Sequence, residues 1–205
     1  MTPIQAQSLP LILQGKDLLG QAKTGSGKTA AFGLGVLNQI DIKNYDIQAM
    51  VLCPTRELAD QVCKEIRRLA RGIPNVKVLS LCGGVSIGPQ IGSLEHGAHI
   101  VVGTPGRIED HLRKRTLKLD GLKMFVLDEA DRMLDMGFNE AITNIAKQMP
   151  RDRQTLLFSA TYPSTIKKLS QSFQRNPESV RIENKQESSD IKQLFFEVNK
   201  KQRSE

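Results

Sequence analysis

Ala22-Lys23-Thr24-Gly25-Ser26-Gly27-Lys28-Thr29 restricts the fold of this 205-residue chain more than any other stretch. It follows a short apolar run, Leu18-Leu19-Gly20, and leads into Ala30-Ala31-Phe32-Gly33-Leu34, where a helix can begin. Strand, glycine-rich turn and helix together make a phosphate-binding loop pattern, with Ala22 where the strict form has its first Gly. Gly25 and Gly27 let the backbone turn tightly, so that successive N–H groups point at one anion. The helix starting near Lys28 adds its positive dipole end. Lys28 can reach outer phosphates, and the Thr29 hydroxyl suits a magnesium ion bridging them.

The rest of the chain repeats one grammar. A short apolar run ends in a polar or Gly/Pro cluster, and a helical stretch follows. Met50–Cys53, Val78–Cys82, Ile100–Val102, Met124–Leu127 and Leu156–Phe158 are such runs. Runs apolar at nearly every position suit strands buried on both faces of a parallel sheet. Between them, Leu58, Val62, Ile66 and Leu69 share one helical face, as do Ile142, Ile145, Ala146 and Met149, and Ile166, Leu169 and Phe173. Residues 4–14, with Pro10 inside, predict a short helix or two broken turns ending at Gly15. The fold class expected is α/β, a doubly wound, mostly parallel sheet with helices on both faces.

In such a sheet ligands bind outside the carboxyl ends of the strands. The clusters in that position are Ala22–Thr29, Pro54-Thr55-Arg56-Glu57, Gly83-Gly84, Thr104-Pro105-Gly106-Arg107, Asp128-Glu129-Ala130-Asp131 and Ser159-Ala160-Thr161. They predict one composite site. Asp128 stands where a phosphate-loop NTPase needs a magnesium-associated carboxylate. Glu129 can orient or deprotonate an attacking water. Arg56 and Arg107, each beside a Pro-Thr or Thr-Pro, suit a grip on a sugar–phosphate backbone, and Gly83-Gly84 permits close approach. No aromatic residue lies in these clusters, which favours backbone contact over base stacking.

The net charge of +7 suits a polyanionic partner. Cys53, Cys63 and Cys82 have no metal-ligand spacing, and Cys53 and Cys82 close apolar runs, as buried thiols do. His96, His99 and His111 read as surface or boundary residues, and Arg113-Lys114-Arg115 as a solvated helix end. The start is no signal peptide and no stretch reaches the roughly 20 apolar residues of a membrane span, so a soluble, cytoplasmic monomer is expected.

These ordered motifs resemble the first RecA-like domain of the DEAD-box ATP-dependent RNA helicases, from Thr2 to about Glu183. Cys53–Val62 and Asp131–Phe138 look most like the bacterial ribosome-assembly members. The resemblance implies that Gln5, in Thr2-Pro3-Ile4-Gln5, reads the adenine of ATP. It implies that Ala22, Thr24, Gly25, Ser26, Gly27, Lys28 and Thr29 hold the nucleotide, and that Thr29 and Asp128 hold Mg2+. Glu129, with Asp128 and Lys28, would serve hydrolysis. Ser159 and Thr161 would couple it to strand separation through Asp131. Pro54, Thr55, Arg56, Gly84, Thr104, Gly106 and Arg107 would hold the RNA backbone, and the implied mechanism is local unwinding of RNA duplexes.

Residues 1–183 then form one RecA-like domain. Residues 184–205 read as a polar linker and, at Leu194-Phe195-Phe196-Glu197-Val198, the first strand of a second RecA-like domain that is missing here. With half of a two-sided site absent, weak nucleotide binding and slow hydrolysis are expected of this chain alone. An ATP-gated RNA clamp is the alternative that uses the same residues. A small-molecule kinase would need an acceptor lid, and no Arg-rich insertion is present. DNA as the partner is not excluded by the motifs themselves.

Overall fold

A seven-stranded, all-parallel sheet forms the centre of the molecule, in the order β3-β4-β2-β5-β6-β1-β7. The computed structural model describes residues 1–182. Residue 183, the expected linker and the strand-like run at 194–198 lie outside the described residues. The strands are β1 (Leu18–Gln21), β2 (Ala49–Leu52), β3 (Val78–Leu81), β4 (Ile100–Gly103), β5 (Met124–Leu127), β6 (Gln154–Ser159) and β7 (Glu178–Arg181). The helices are α1 (Pro3–Leu13), α2 (Lys28–Gln39), α3 (Arg56–Leu69), α4 (Gly88–Glu95), α5 (Pro105–Arg113), α6 (Ala130–Asp135), α7 (Asn139–Ala146) and α8 (Ser164–Phe173).

Successive residues of each inner strand point to opposite faces and both faces are covered, so the runs are continuously apolar. In β2, Ala49 and Val51 join the core under α1, α2 and α3. Met50 and Leu52 join the core under α5, α6, α7 and α8. The apolar faces predicted around Val62, Ile145 and Ile166 pack against the sheet, with Leu58, Leu69 and Phe173 partly buried at their margins.

α1 is one helix, not two turns. Pro3 stands at its first turn, where the missing N–H costs nothing. Ile4, Ser8 and Ile12 share one buried stripe, and the Ser8 hydroxyl donates to the Ile4 carbonyl at 2.6 Å. The packing on that stripe outweighs the break expected at exposed Pro10. A side chain at Gly35 of α2 would fall inside the Ile12 methyl group, so the absence of one sets how closely α1 lies on α2.

Neighbouring strands send their following helices to opposite faces at two places that matter. β1 leads into α2 on one face while β6 leads into α8 on the other. Likewise β2 leads into α3 and β4 into α5. Each divergence opens a crevice at the carboxyl edge, where ligands of α/β sheets bind.

Candidate functional site

All six motif clusters lie at the carboxyl edge, because each directly follows or ends a strand of one parallel sheet. The clusters after β1, β5 and β6 flank one crevice, and those after β2, β3 and β4 flank the other.

At the first crevice the loop Ala22–Gly27 arches from β1 to α2. The Ala22 N–H donates to the Ser159 carbonyl at 3.0 Å, tying its start to β6. Gly25 and Gly27 have φ of 81° and 93°, in the left-handed region that glycine enters freely. A Cβ at Gly27 would also stand 2.6 Å from Gln5 Nε2 and 2.9 Å from Thr2 Oγ1. Gln5 is thereby brought onto the loop. Its Nε2 donates to the Gly27 carbonyl at 3.2 Å, and its Oε1 accepts from the Thr2 N–H at 2.9 Å. One amide hydrogen and one lone pair of Gln5 remain, a donor–acceptor pair that matches an adenine edge.

Lys28 and Asp128 are both buried, with Nζ and Oδ1 3.4 Å apart. The two form an ion pair, and among the described residues neither Lys28 Nζ nor Ser26 Oγ has a hydrogen-bond partner. Burial pushes the Asp128 carboxyl above its ordinary range, and the Lys28 charge only partly opposes this. Buried polar groups left unsatisfied are costly. Two of them on a glycine cradle fit a polyphosphate, which would accept from each. Among the described residues no group of three or more His, Cys, Asp or Glu could hold a metal ion. The donor set suits Mg2+ all the same, since that ion keeps waters and shares phosphate oxygens with one or two protein ligands. Thr29, half-buried at the start of α2, and buried Asp128 are the residues that would hold it.

Glu129 sits at φ 53°, ψ 51°. A non-glycine residue there costs on the order of 1 kcal/mol or more, strain of the kind that gathers at functional positions. Its Oε1 accepts from the Thr24 hydroxyl at 2.6 Å and its Oε2 from Arg132 at 3.4 Å. Thr24 thus reaches from the loop to the acid.

From β5 the link continues to β6. Thr161 donates to Asp131 Oδ2 twice, from its N–H at 2.9 Å and its hydroxyl at 2.8 Å. Burial alone would raise the Asp131 carboxyl, but these bonds and the Arg132 N–H outweigh it and hold the group below its usual range. Ser159 donates to the Thr161 carbonyl at 2.7 Å and so fixes the same turn.

The second crevice is open. Pro54 is buried, and the Thr55 hydroxyl caps α3 by accepting from the Leu58 N–H at 3.3 Å. Arg56 and Gly106 are exposed, and Gly84 is exposed at φ 80°. The Thr104 N–H donates to the Leu81 carbonyl at 3.2 Å. Arg107 does not point freely outward. Its Nη1 donates to Gln90 Oε1 at 2.9 Å and its Nη2 to the Val85 carbonyl at 2.7 Å.

Sequence reasoning passed over Arg132 and Gln90, and the histidines need correction. His99 and His111 are fully buried, not boundary residues, and only His96 is exposed. Each buried ring uses both nitrogens, His99 toward the Lys77 N–H and the Ile42 carbonyl, His111 toward Thr116 and Gln90. Those pairings are what let a polar ring sit inside. All three cysteines are free and buried, and Arg113, Lys114 and Arg115 are exposed. A separate cleft of about 470 Å3, lined by Tyr45, Leu94 and Lys118 among others, contains none of the motif residues.

The DEAD/DEAH box helicase family matches residues 2–169. The ATP-dependent RNA helicase DbpA of Escherichia coli (strain K12) is 57% identical over 201 residues, covering 98% of this chain and 44% of that protein. The ATP-dependent RNA helicase CshA of Listeria monocytogenes is 51% identical over 203 residues, 98% of this chain and 39% of that one. A crystal structure of a DEAD box protein from the hyperthermophile Methanococcus jannaschii superposes with a TM-score of 0.84 at 44% identity, covering 88% of this chain and 49% of the other. The chain spans less than half the length of each.

Proposed function

Because the chain belongs to the DEAD/DEAH box helicase family, we propose that it is the ATP- and RNA-binding half of an ATP-dependent RNA helicase. The observation that carries this reading is the pair of buried donors, Lys28 Nζ and Ser26 Oγ, without a hydrogen bond among the described residues, on a glycine loop that Gln5 also touches. In this reading Lys28, Ser26 and the loop N–H groups bind the phosphates. Thr29 and Asp128 hold Mg2+, which neutralises phosphate charge and so eases attack at phosphorus.

Gln5 selects adenine, whose edge offers one donor and one acceptor where guanine offers two acceptors. Glu129, released from Thr24, accepts the proton of the attacking water. Asp131 and Thr161 tie the end of β5 to the end of β6, so a shift at Glu129 is felt at Ser159 and Thr161. The open crevice, with Pro54, Thr55, Arg56, Gly84, Thr104, Gly106 and Arg107, holds the sugar–phosphate backbone of RNA. A second RecA-like domain closes over both crevices, completes the ATP site and bends one strand of a duplex. Ribosome assembly is the setting we propose, on the resemblance of the Cys53–Val62 and Asp131–Phe138 runs. A cytoplasmic location accords with this, and no helix among the described residues is long and apolar enough to cross a membrane.

Calorimetry of this chain with Mg-ATP and Mg-GTP, repeated on Gln5→Ala, tests the reading. The expected result is a preference for ATP that the variant loses. Equal binding of both nucleotides by the unaltered chain would contradict the assignment of Gln5 to adenine.

A further inference from the structure

Beneath the open crevice lies a polar cluster that none of the motifs explains. Gln90 projects from α4, a helix with no buried residue of its own. Its Oε1 accepts from Arg107 Nη1 at 2.9 Å and meets His111 Nε2 at 3.0 Å. Its Nε2 donates to the Cys82 carbonyl at 3.1 Å. One amide therefore joins the end of β3, just before Gly83-Gly84, to two residues of α5. Arg107 extends the frame to the far side of the glycine pair through the Val85 carbonyl.

The amide can sit only one way round. Turned over, its NH2 would face an arginine donor, and its oxygen would face a carbonyl. With Oε1 as acceptor, His111 Nε2 must carry a hydrogen, and His111 Nδ1 lies 2.8 Å from Thr116 Oγ1, whose one hydrogen is shared between that nitrogen and the His111 carbonyl at 3.2 Å. Burial, with the Arg107 charge adding to it, lowers the His111 pKa and so favours the neutral form. Arg107 Nε is buried without a partner, leaving Gln90 and the Val85 carbonyl as the groups that hold the guanidinium among the described residues.

We propose that Gln90 is a positioning residue for the RNA edge, fixing the Arg107 guanidinium and the Gly83–Val85 loop in one geometry for a phosphate backbone. This rests on the reading that Arg107 and Gly84 meet RNA. Gln90 itself need not touch the nucleic acid. Alanine at this position removes the acceptor that Arg107 Nη1 and His111 Nε2 share and the donor that the Cys82 carbonyl uses.

The test is fluorescence anisotropy of a single-stranded oligouridine RNA with this chain over a range of salt, beside calorimetry with Mg-ATP. Gln90→Ala is expected to weaken RNA binding roughly fivefold or more. It should also flatten the salt dependence by about 0.7 in log–log slope, the share of one phosphate contact. Mg-ATP affinity should not change. Added to Arg107→Ala, Gln90→Ala should cost nothing further, since both remove the same contact.

Unchanged RNA affinity and slope in Gln90→Ala, with Arg107→Ala weakened, would overturn the proposal and leave the RNA reading standing. No effect of Arg107→Ala would remove that reading and the proposal together. Loss of Mg-ATP affinity in Gln90→Ala would make Gln90 a residue of folding alone and would also overturn it.

Discussion

The two crevices of the sheet edge differ in what they leave unsatisfied. Around the loop after β1, among the described residues, Ser26 Oγ and Lys28 Nζ are buried without a hydrogen bond, and the Lys28–Asp128 ion pair is shut away from solvent. Beside β2 and β4 the one such atom among the described residues is Arg107 Nε, while Arg56, Gly84 and Gly106 are exposed. Charge held out of water is worth more to a ligand that satisfies it, and costs more until one arrives. The first crevice is thus built for a small, highly charged group that it can enclose. The open second crevice accords with the proposed polymer partner, which must be able to enter sideways and leave.

Glycine substitutions sharpen this contrast. Gly27→Ala meets both a left-handed φ and the Gln5 and Thr2 side chains. We expect about 2–3 kcal/mol of destabilisation or displacement of Gln5, read as loss of measurable Mg-ATP binding with RNA affinity retained. Gly84→Ala has an equally left-handed φ, but its Cβ would come no nearer than 3.8 Å to Arg56 Nη1. About 1 kcal/mol of backbone strain alone is expected, visible as a small fall in melting temperature with nucleotide affinity unchanged. Equal costs at the two positions would remove the distinction between an enclosed and an open crevice.

Smaller effects follow from the titrating groups. Thr161→Val removes one of the two bonds that Thr161 gives Asp131. The Asp131 carboxyl is lowered in the native state, so it adds stability above its ordinary pKa of 3.8 and loses it as pH falls through the native value. In the variant the native value rises, so the loss is complete at a higher pH and the contribution falls by a small step. It should amount to about 0.5–1 kcal/mol at most for so exposed a threonine, as followed by acid unfolding. His111 is lowered from 6.5, which makes the unfolded chain the better proton binder below that pH. Stability should therefore decline slightly as pH falls below about 6.5, and His111→Gln should flatten the decline. A curve unchanged by that substitution would mean that the Gln90–His111–Thr116 cluster does not depend on a neutral ring.

Much of this architecture was legible because parallel strands announce themselves as apolar runs with punctuation at one end. β2 to β6 and the three helical faces were readable in that way, and so were the motif clusters that follow the strands. β7 was not, since only Val180 of its four residues is buried, and charged Glu178 and Arg181 protect an edge strand. α4 was missed for a similar reason, having no buried residue and so no apolar stripe. The contacts of Gln90, and the reach of Thr24 and Arg132 to Glu129, join residues far apart in sequence or side by side without a pattern. Hydrophobic periodicity carries no record of hydrogen bonds. Buried His99 and His111 were misjudged because composition gives polarity but not the partners that make burial affordable.

The most direct test of two separate crevices is a crossed binding measurement on this chain. Mg-ATP and a single-stranded oligouridine RNA are each titrated into Lys28→Ala and Arg56→Ala. Lys28→Ala should lose about 3 kcal/mol, some two orders of magnitude in nucleotide affinity, and bind RNA as before. Arg56→Ala should lose roughly fivefold in RNA affinity, about 1 kcal/mol for an exposed charge, and bind Mg-ATP as before. Nucleotide binding undiminished in Lys28→Ala, or both ligands weakened equally by either change, would contradict the account.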